Sequence, residues 1–333
     1  MPLLNPLRRQ LFAHALTVTA ATLLTAPPAF AQGEAYPSRP VSLVVPYGPG
    51  GVVDITARTL AEGLSKLWGQ SVVVENRPGA AGAIGGSTVA KAKGDGYTLF
   101  YTDDGVLVSM PHFNSNIPYK TLSDLKPVST SGTYPYIVLA NSNAGFKSLE
   151  DLIKNAKANP GAINFATNGI GSTHHLAWER FQQQAKIKLN HVPYKSASPA
   201  LQDVMAGHIP VMTVSIGTIV PVLTDSRVVP IANLGPKRAP LLPDVPTAKE
   251  LGYERFGALG WLAVLAPGST PDAIVEKISK DVAAVVATDQ FRQDMTRRGV
   301  EPESMSPADL AKRLRSEYEQ NGADIARMEI KPN

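Results

Sequence analysis

Apolar positions along this chain switch repeatedly between two periods. Residues 41–45 are a short β-branched run stopped by Pro46, the pattern of a buried strand. After the loop Tyr47-Gly48-Pro49-Gly50-Gly51 the spacing becomes helical. Val53, Ala57, Leu60, Leu64 and Leu67 fall on one face and Gly69 ends the helix. Residues 71–75 predict a second strand, 79–86 a glycine-rich turn into a helix near 87–93, and 97–101 a third strand. Such alternation predicts a mostly parallel sheet with helices on both faces.

The pattern then restarts. Strands are expected over 136–140, 163–166, 191–193, 211–214 and 228–234, and helices over 148–158, 174–185 and 199–206. A proline-rich stretch, 240–246, precedes a strand at 261–266 and amphipathic helices at 271–288 and 307–328. There is no tandem repeat and no low-complexity linker. The 333 residues match about two domains of ~100–200 residues each. Two α/β lobes without a linker imply a chain that crosses between them more than once. The expected partition is 32–138 plus 259–333 for one lobe and 139–258 for the other.

Residues 1–31 read as an export signal. Arg8 and Arg9 are its basic start, 11–24 its apolar stretch, and Ala29-Phe30-Ala31 its cleavage site, giving a mature chain from Gln32. No later apolar run reaches the ~18 residues of a membrane span. Losing two arginines takes the net charge from +4 to +2. That is too mild to argue for nucleic acid; it suits an anionic ligand weakly and an ordinary soluble surface at least as well. The absence of cysteine removes disulfides, thiolate metal sites and a cysteine nucleophile.

In open α/β sheets ligands bind beyond the carboxyl ends of strands. Two strand-to-helix junctions here are glycine-rich, 46–54 and 167–175. Glycine admits close backbone approach, and a helix start offers unpaired N–H groups and partial positive charge, so each junction suits an anion. Ser172 and Thr173 add hydroxyls, as caps or as ligand donors. Asp54 either receives an amine on the ligand or supports the helix start by its charge. Of His174 and His175, one is expected to reach the ligand or a local network and the other to pack. Neighbours ~100° apart on a helix make a poor metal pair. Gly79, Gly82 and Gly85 lack the dinucleotide spacing, and neither a phosphate-binding lysine loop nor a nucleophile elbow is present. Tyr47 and Trp261 either line an apolar wall or pack in the core. No metal, no cofactor and no enzyme activity are expected.

These residues also carry a family resemblance. The segments are 36–40 (YPSRP), 44–47 (VVPY) with Gly50, Gly51 and Asp54, 73–80 (VVENRPGA), 95–99 (DGYTL), Gly169-x-Gly171-Ser172-x-x-His175-Leu176, 191–195 (HVPYK) and 243–247 (PDVPT). In order and over nearly the whole mature chain, they resemble the substrate-binding proteins of tripartite tricarboxylate transporters, the Bordetella uptake gene (Bug) family. The resemblance implies a periplasmic, two-lobed Venus-flytrap binding protein of type II, monomeric, working with TctA- and TctB-like membrane subunits. It implies a small carboxylate held by backbone amides of both junctions. That places Tyr47, Gly48 and Gly51 on one side of the cleft and Gly169, Ile170, Gly171 and Ser172 on the other; Asp54, Thr173 and His175 join them as ligand-binding candidates from the residue reading above. Thr102, Asp103 and Asp104, at the end of the third strand, face the same cleft in this layout. Pro210 and Val214 stand where many members carry acids, which points away from amino-acid ligands, and Ser196 replaces a usual glycine. Two other functions share parts of this sequence pattern: presentation of a carboxylate to a membrane sensor, and periplasmic hydrolysis. The second needs a nucleophile–base pair that the sequence does not assemble.

Overall fold

The computed structural model describes residues 36–113 and 116–328. The export signal and the cleavage after Ala31 lie outside the described residues.

Residues from Arg39 onward form one compact unit. Its strands are β1 (Val41–Val45), β2 (Val72–Asn76), β3 (Thr98–Asp103), β4 (Leu125–Asn141), β5 (Asn164–Thr167), β6 (Asn190–Pro193), β7 (Val211–Ser215), β8 (Val228–Asn233) and β9 (Leu259–Pro267). Its main helices are α1 (Val52–Trp68), α2 (Ala83–Ala90), α3 (Leu149–Ala158), α4 (Thr173–Ala185), α5 (Ala197–Ala206), α6 (Asp272–Val286), α7 (Asp289–Arg297) and α8 (Pro307–Arg327).

Two sheets share one strand. In the first the order is β2-β1-β3-β9-β4, and in the second β6-β5-β7-β4, with β8 on the other side of β4. β1, β2 and β3 run parallel, β9 runs against β3 and β4, and β4 therefore points with β3. In the second sheet β5, β6 and β7 run parallel, and β4 is the strand reversed against β7 and β8. Each sheet is thus mostly parallel with a single reversed strand. β4 pairs with β9 as far as Pro135↔Leu259 and with β7 from Tyr136↔Ser215, so it passes from one sheet to the other within one residue.

Most expected elements form within a few residues of their predicted bounds, and the departures have physical reasons. β4 begins at Leu125, eleven residues before the expected strand. That half is masked by Pro127, Gly132 and three hydroxyl residues in a row, with register shifts near Pro127 and Gly132. Burial is tolerated because the hydroxyls find partners. Ser129 Oγ donates to the Met305 carbonyl at 2.9 Å, Thr130 Oγ1 to the Glu303 carbonyl at 2.9 Å, and Ser131 Oγ lies 2.7 Å from Tyr101 Oη. α2 covers 83–90 and not 87–93, because Gly85 and Gly86 belong to the helix. A Cβ on Gly85 would lie 3.0 Å from Pro46 Cα and one on Gly86 2.2 Å from Tyr119 Oη, so these glycines permit close packing. Leu67 was expected on the buried face but is 51 % exposed in the last turn of α1. α7 was not expected; its first turn is capped by Thr288, which accepts from the Phe291 amide.

The side chains holding α4 against the second sheet and against the turn at 254–256 are aromatic. Phe165 lies 4.9 Å from Trp178, and Phe181 stacks on Phe256 at 4.1 Å. All four are fully buried, so truncating one to alanine costs about 3–5 kcal/mol. This cluster anchors the helix whose N-terminus forms the second glycine-rich junction.

Candidate functional site

The first junction joins β1 to α1. Asp54, 2 % exposed, accepts from the Gly50 amide at 2.9 Å, from Arg58 at 2.8 Å and from Asn76 Nδ2 at 2.9 Å. Asn76 Nδ2 also donates to the Tyr47 carbonyl at 2.9 Å. Burial alone would raise the Asp54 carboxyl; the bonds from Arg58, Gly50 and Asn76 outweigh it and hold the group below the usual carboxylate range. Both its oxygens are occupied, so Asp54 braces the loop and is not available to a ligand amine. Gly48 and Gly51 are exposed at the loop surface, and Gly51 heads α1 without a side-chain cap.

The second junction joins β5 to α4. Ser172 caps α4, its Oγ accepting from the His175 amide at 3.3 Å and donating to the Gly169 carbonyl at 2.8 Å. The Gly169 amide donates to Thr167 Oγ1 at 3.2 Å and the Gly171 amide to His175 Nδ1 at 3.2 Å. The amides of Gly169 and Gly171 were expected to hold a carboxylate, but here both have internal acceptors. Two hydrogen-bonding side chains, Thr167 and His175, stand beside them. Among the described residues the Ile170 amide has no such partner. Ile170 itself packs against Phe113, Leu176 and Ile325. Gly171 has φ +78°, and a Cβ there would fall 2.1 Å from the Phe113 ring.

The two histidines separate in role. The His175 ring stacks on His191 at 4.0 Å, and burial lowers its pKa to about 4, so it is a neutral brace for the loop. His174 meets Tyr136 edge-on at 4.3 Å, and burial lowers it to about 3. Its Nδ1 has no hydrogen-bond partner.

Both junctions reach the end of β3. Tyr47 Oη donates to Asp103 Oδ1 at 2.9 Å, and Thr173 Oγ1 donates to Asp104 Oδ2 at 2.6 Å. Asp104, 2 % exposed, also accepts from the Trp261 amide at 3.3 Å and from Tyr136 Oη at 3.4 Å. Burial, then the adjacent Asp103 charge, pushes the Asp104 carboxyl up to about 8. Asp103 is raised too, by burial. Thr102 is fully buried and its Oγ1 has no partner. A π-helical turn, Gly105–Ser109, follows directly. Such turns are rare and concentrate at functional sites.

The structure therefore brings Tyr47 and Thr173 to adjacent residues of one strand end, Tyr47 bonded to Asp103 and Thr173 to Asp104, and leaves Asp54 and His175 as braces of their own loops. Sequence reading placed Asp104 at the cleft with Thr102 and Asp103 but did not single out Tyr136 or Phe113. The Tyr134-Pro135-Tyr136 triplet was a signal for the first of these; Phe113 gave none. Trp261 is fully buried in the core, with Nε1 donating to Glu317 at 2.8 Å. Val214 is fully buried in β7, opposite Ile137. A separate open cavity of about 590 Å³ is lined by Arg180, Arg255, Asp324 and Arg327 and includes no junction residue. Among the described residues no group of three or more His, Asp or Glu can hold a metal, and no helix is long and apolar enough to cross a membrane.

Residues 56–330 match the model of the tripartite tricarboxylate transporter family receptor. BugT of Bordetella pertussis is 35% identical over 275 residues, 82% of this chain and 84% of that protein. A protein of Pseudomonas sp. strain P51, described by its position between tcbD and tcbE, is 35% identical over 86% of this chain and 85% of its own length. Among solved structures, R. palustris Rpa4515 with adipate is 31% identical with a TM-score of 0.82, over 90% of this chain and 100% of that one. MatC from Rhodopseudomonas palustris with bound malate is 28% identical with a TM-score of 0.77, over 87% and 100%. The family is a transporter's receptor, and two further solved structures, periplasmic binding protein BugD (30% identical, TM-score 0.78, over 89% of this chain and 99% of that one) and a TctC solute binding protein from Polaromonas (26% identical, TM-score 0.72, over 88% and 99%), are binding proteins and not enzymes. With a two-lobed α/β binding-protein fold and a family match across most of its length, the chain belongs to the tripartite tricarboxylate transporter receptor family.

Proposed function

We propose that this protein is a periplasmic solute-binding protein that captures a small organic carboxylate, a di-, tri- or aromatic carboxylate, and delivers it to a tripartite tricarboxylate-type transporter. The observation that carries this reading is the convergence of both junctions on one strand end, Tyr47 on Asp103 and Thr173 on Asp104. The adipate and malate held by two relatives support the ligand class. The two lobes are 32–138 with 259–333, and 139–258; the passage of β4 between sheets at Pro135 and Tyr136, three residues before the stated boundary, favours this division. The carboxylate sits between the Gly48–Gly51 loop and the Ile170–Ser172 loop. By touching both lobes it favours the closed state, to the extent of its higher affinity for that state.

A thermal-shift screen of the mature protein against mono-, di-, tri- and aromatic carboxylates tests the reading, since a ligand that binds only the folded state raises the melting temperature. Hits are carried to calorimetry and then incubated with protein for product analysis. A panel without a single hit, or conversion of a bound carboxylate to product, overturns it.

A further inference from the structure

The strand end where the junctions meet is acidic without a counter-ion. Asp103 Oδ1 accepts from Tyr47 Oη and, at 3.4 Å, from the Val106 amide, and the carboxyl also receives its own backbone amide; its other oxygen receives no donor from another described residue. The Asp104 oxygens receive Thr173, Tyr136 and the Trp261 amide. Every one of these donors is neutral. Among the described residues no Lys or Arg forms an ion pair with either aspartate, although the other buried carboxylates have one: Asp54 has Arg58, and Asp324 has Arg180 and Arg327. The surrounding titratable groups make matters worse for a second negative charge. Glu317 adds to the field on Asp104, and its own cation, Arg313, is spent on it at 2.8 Å, over the Trp261 ring. Tyr47, Tyr134 and Tyr136 are neutral, each raised well above the ordinary phenol range by burial and then by the neighbouring aspartates and tyrosines. His174 is neutral.

Two carboxyls side by side and mostly out of water hold a proton between them unless a cation arrives. A ligand that placed a second carboxylate here would add to the repulsion. A ligand that placed a cation here would receive the free oxygen of Asp103, relieve the pair, and complete a charge balance that the protein leaves open. Two further buried polar atoms near this strand end have no partner, Thr102 Oγ1 and His174 Nδ1, and both belong to residues at least nine-tenths buried.

We propose that Asp103 and Asp104 are specificity-determining residues that receive an ammonium or similar nitrogen cation at the end of the solute opposite its carboxylate. The physiological solute is then a carboxylate of the class proposed above that also carries a cationic nitrogen. This rests on the carboxylate reading above and reverses the expectation drawn from Val214: the acid absent from β7 is supplied by β3.

Calorimetry on the mature protein tests it with pairs matched in chain length, glutarate against 4-aminobutanoate and adipate against 5-aminopentanoate. The wild type is expected to bind the amino member of a pair at least about tenfold more tightly, the size of one charge-assisted hydrogen bond. Asp103→Asn is nearly isosteric and keeps an acceptor for Tyr47; it should reduce the ratio to near unity or invert it. Asp104→Asn carries the same expectation if the first variant folds poorly, as judged by its thermal melt. A wild type that prefers the diacids, or a preference for the amine that survives in both variants, overturns the proposal. Pentylamine binding as tightly as 5-aminopentanoate removes the carboxylate reading and leaves the cation site standing. Failure of every member of both series removes both.

Discussion

Thr173→Val separates the Thr173–Asp104 hydrogen bond from everything else the residue does. Valine keeps the shape, and the cap of α4 belongs to Ser172, so the loss is one hydroxyl donating at 2.6 Å to a nearly buried carboxyl. Asp104 is raised to about 8 against an ordinary value near 4. Between those limits the folded protein keeps a proton that the unfolded chain has released. This group's stabilisation is therefore complete at low pH and is lost as pH rises through about 8. At pH 6 the variant loses a hydrogen bond to a neutral carboxyl, about 1 kcal/mol. The Thr173 bond also favours the ionised form, so removing it raises Asp104 further, and each unit of rise costs about 1.4 kcal/mol once both proteins are ionised. The expected deficit is about 1 kcal/mol at pH 6 and about 2–3 kcal/mol at pH 9.5, read from urea unfolding at the two pH values. Equal deficits, or a smaller one at high pH, would refute the claim that Thr173 serves a carboxyl that ionises late.

Gly171→Leu combines a left-handed φ of +78° with a Cβ 2.1 Å from Phe113; calorimetry should find binding of a confirmed carboxylate ligand abolished, and unchanged affinity would exclude the second junction from the site. Ser172→Ala removes the cap and the bond to the Gly169 carbonyl, and should cost about 1 kcal/mol in urea unfolding with only a several-fold loss of affinity. Arg180→Met strands Asp324, 7 % exposed, with Arg327 as its one remaining cation, and should cost about 3 kcal/mol by the same assay. His174 is lowered to about 3, so the unfolded chain takes up its proton first and stability from this group falls as pH drops from about 6.5 toward 3. His174→Gln should flatten that acid limb by up to about 1.4 kcal/mol per pH unit.

The sequence carried the alternation of strands and helices because most elements bury one face and their apolar spacing says so. It hid the first half of β4, whose buried residues are hydroxyls satisfied by carbonyls at 303–305, more than 170 positions away. No local pattern signals such a bond. The same contrast holds in the site. The glycine-rich junctions were legible because helix starts and glycine have intrinsic backbone chemistry. The role of Asp54 was not, because it depends on Asn76 and Arg58 reaching it together. Asp103 was legible as the end of a strand, but its missing counter-ion is a property of what surrounds it, and only the fold assembles Glu317, Tyr136 and Trp261 at that point.

β9 lies between β3 and β4 in the first sheet, although 117 residues separate the end of β4 from its start. Until Leu259–Pro267 is available, β3 and the first half of β4 each present an unpaired edge. A chain emerging N-terminus first can complete β1, β2 and β3, but it cannot close that sheet until four-fifths of it has emerged. Slow, late closure of this kind leaves open edges exposed to other chains. A truncation before residue 259 would therefore yield an aggregating fragment and not a half-sized binding domain.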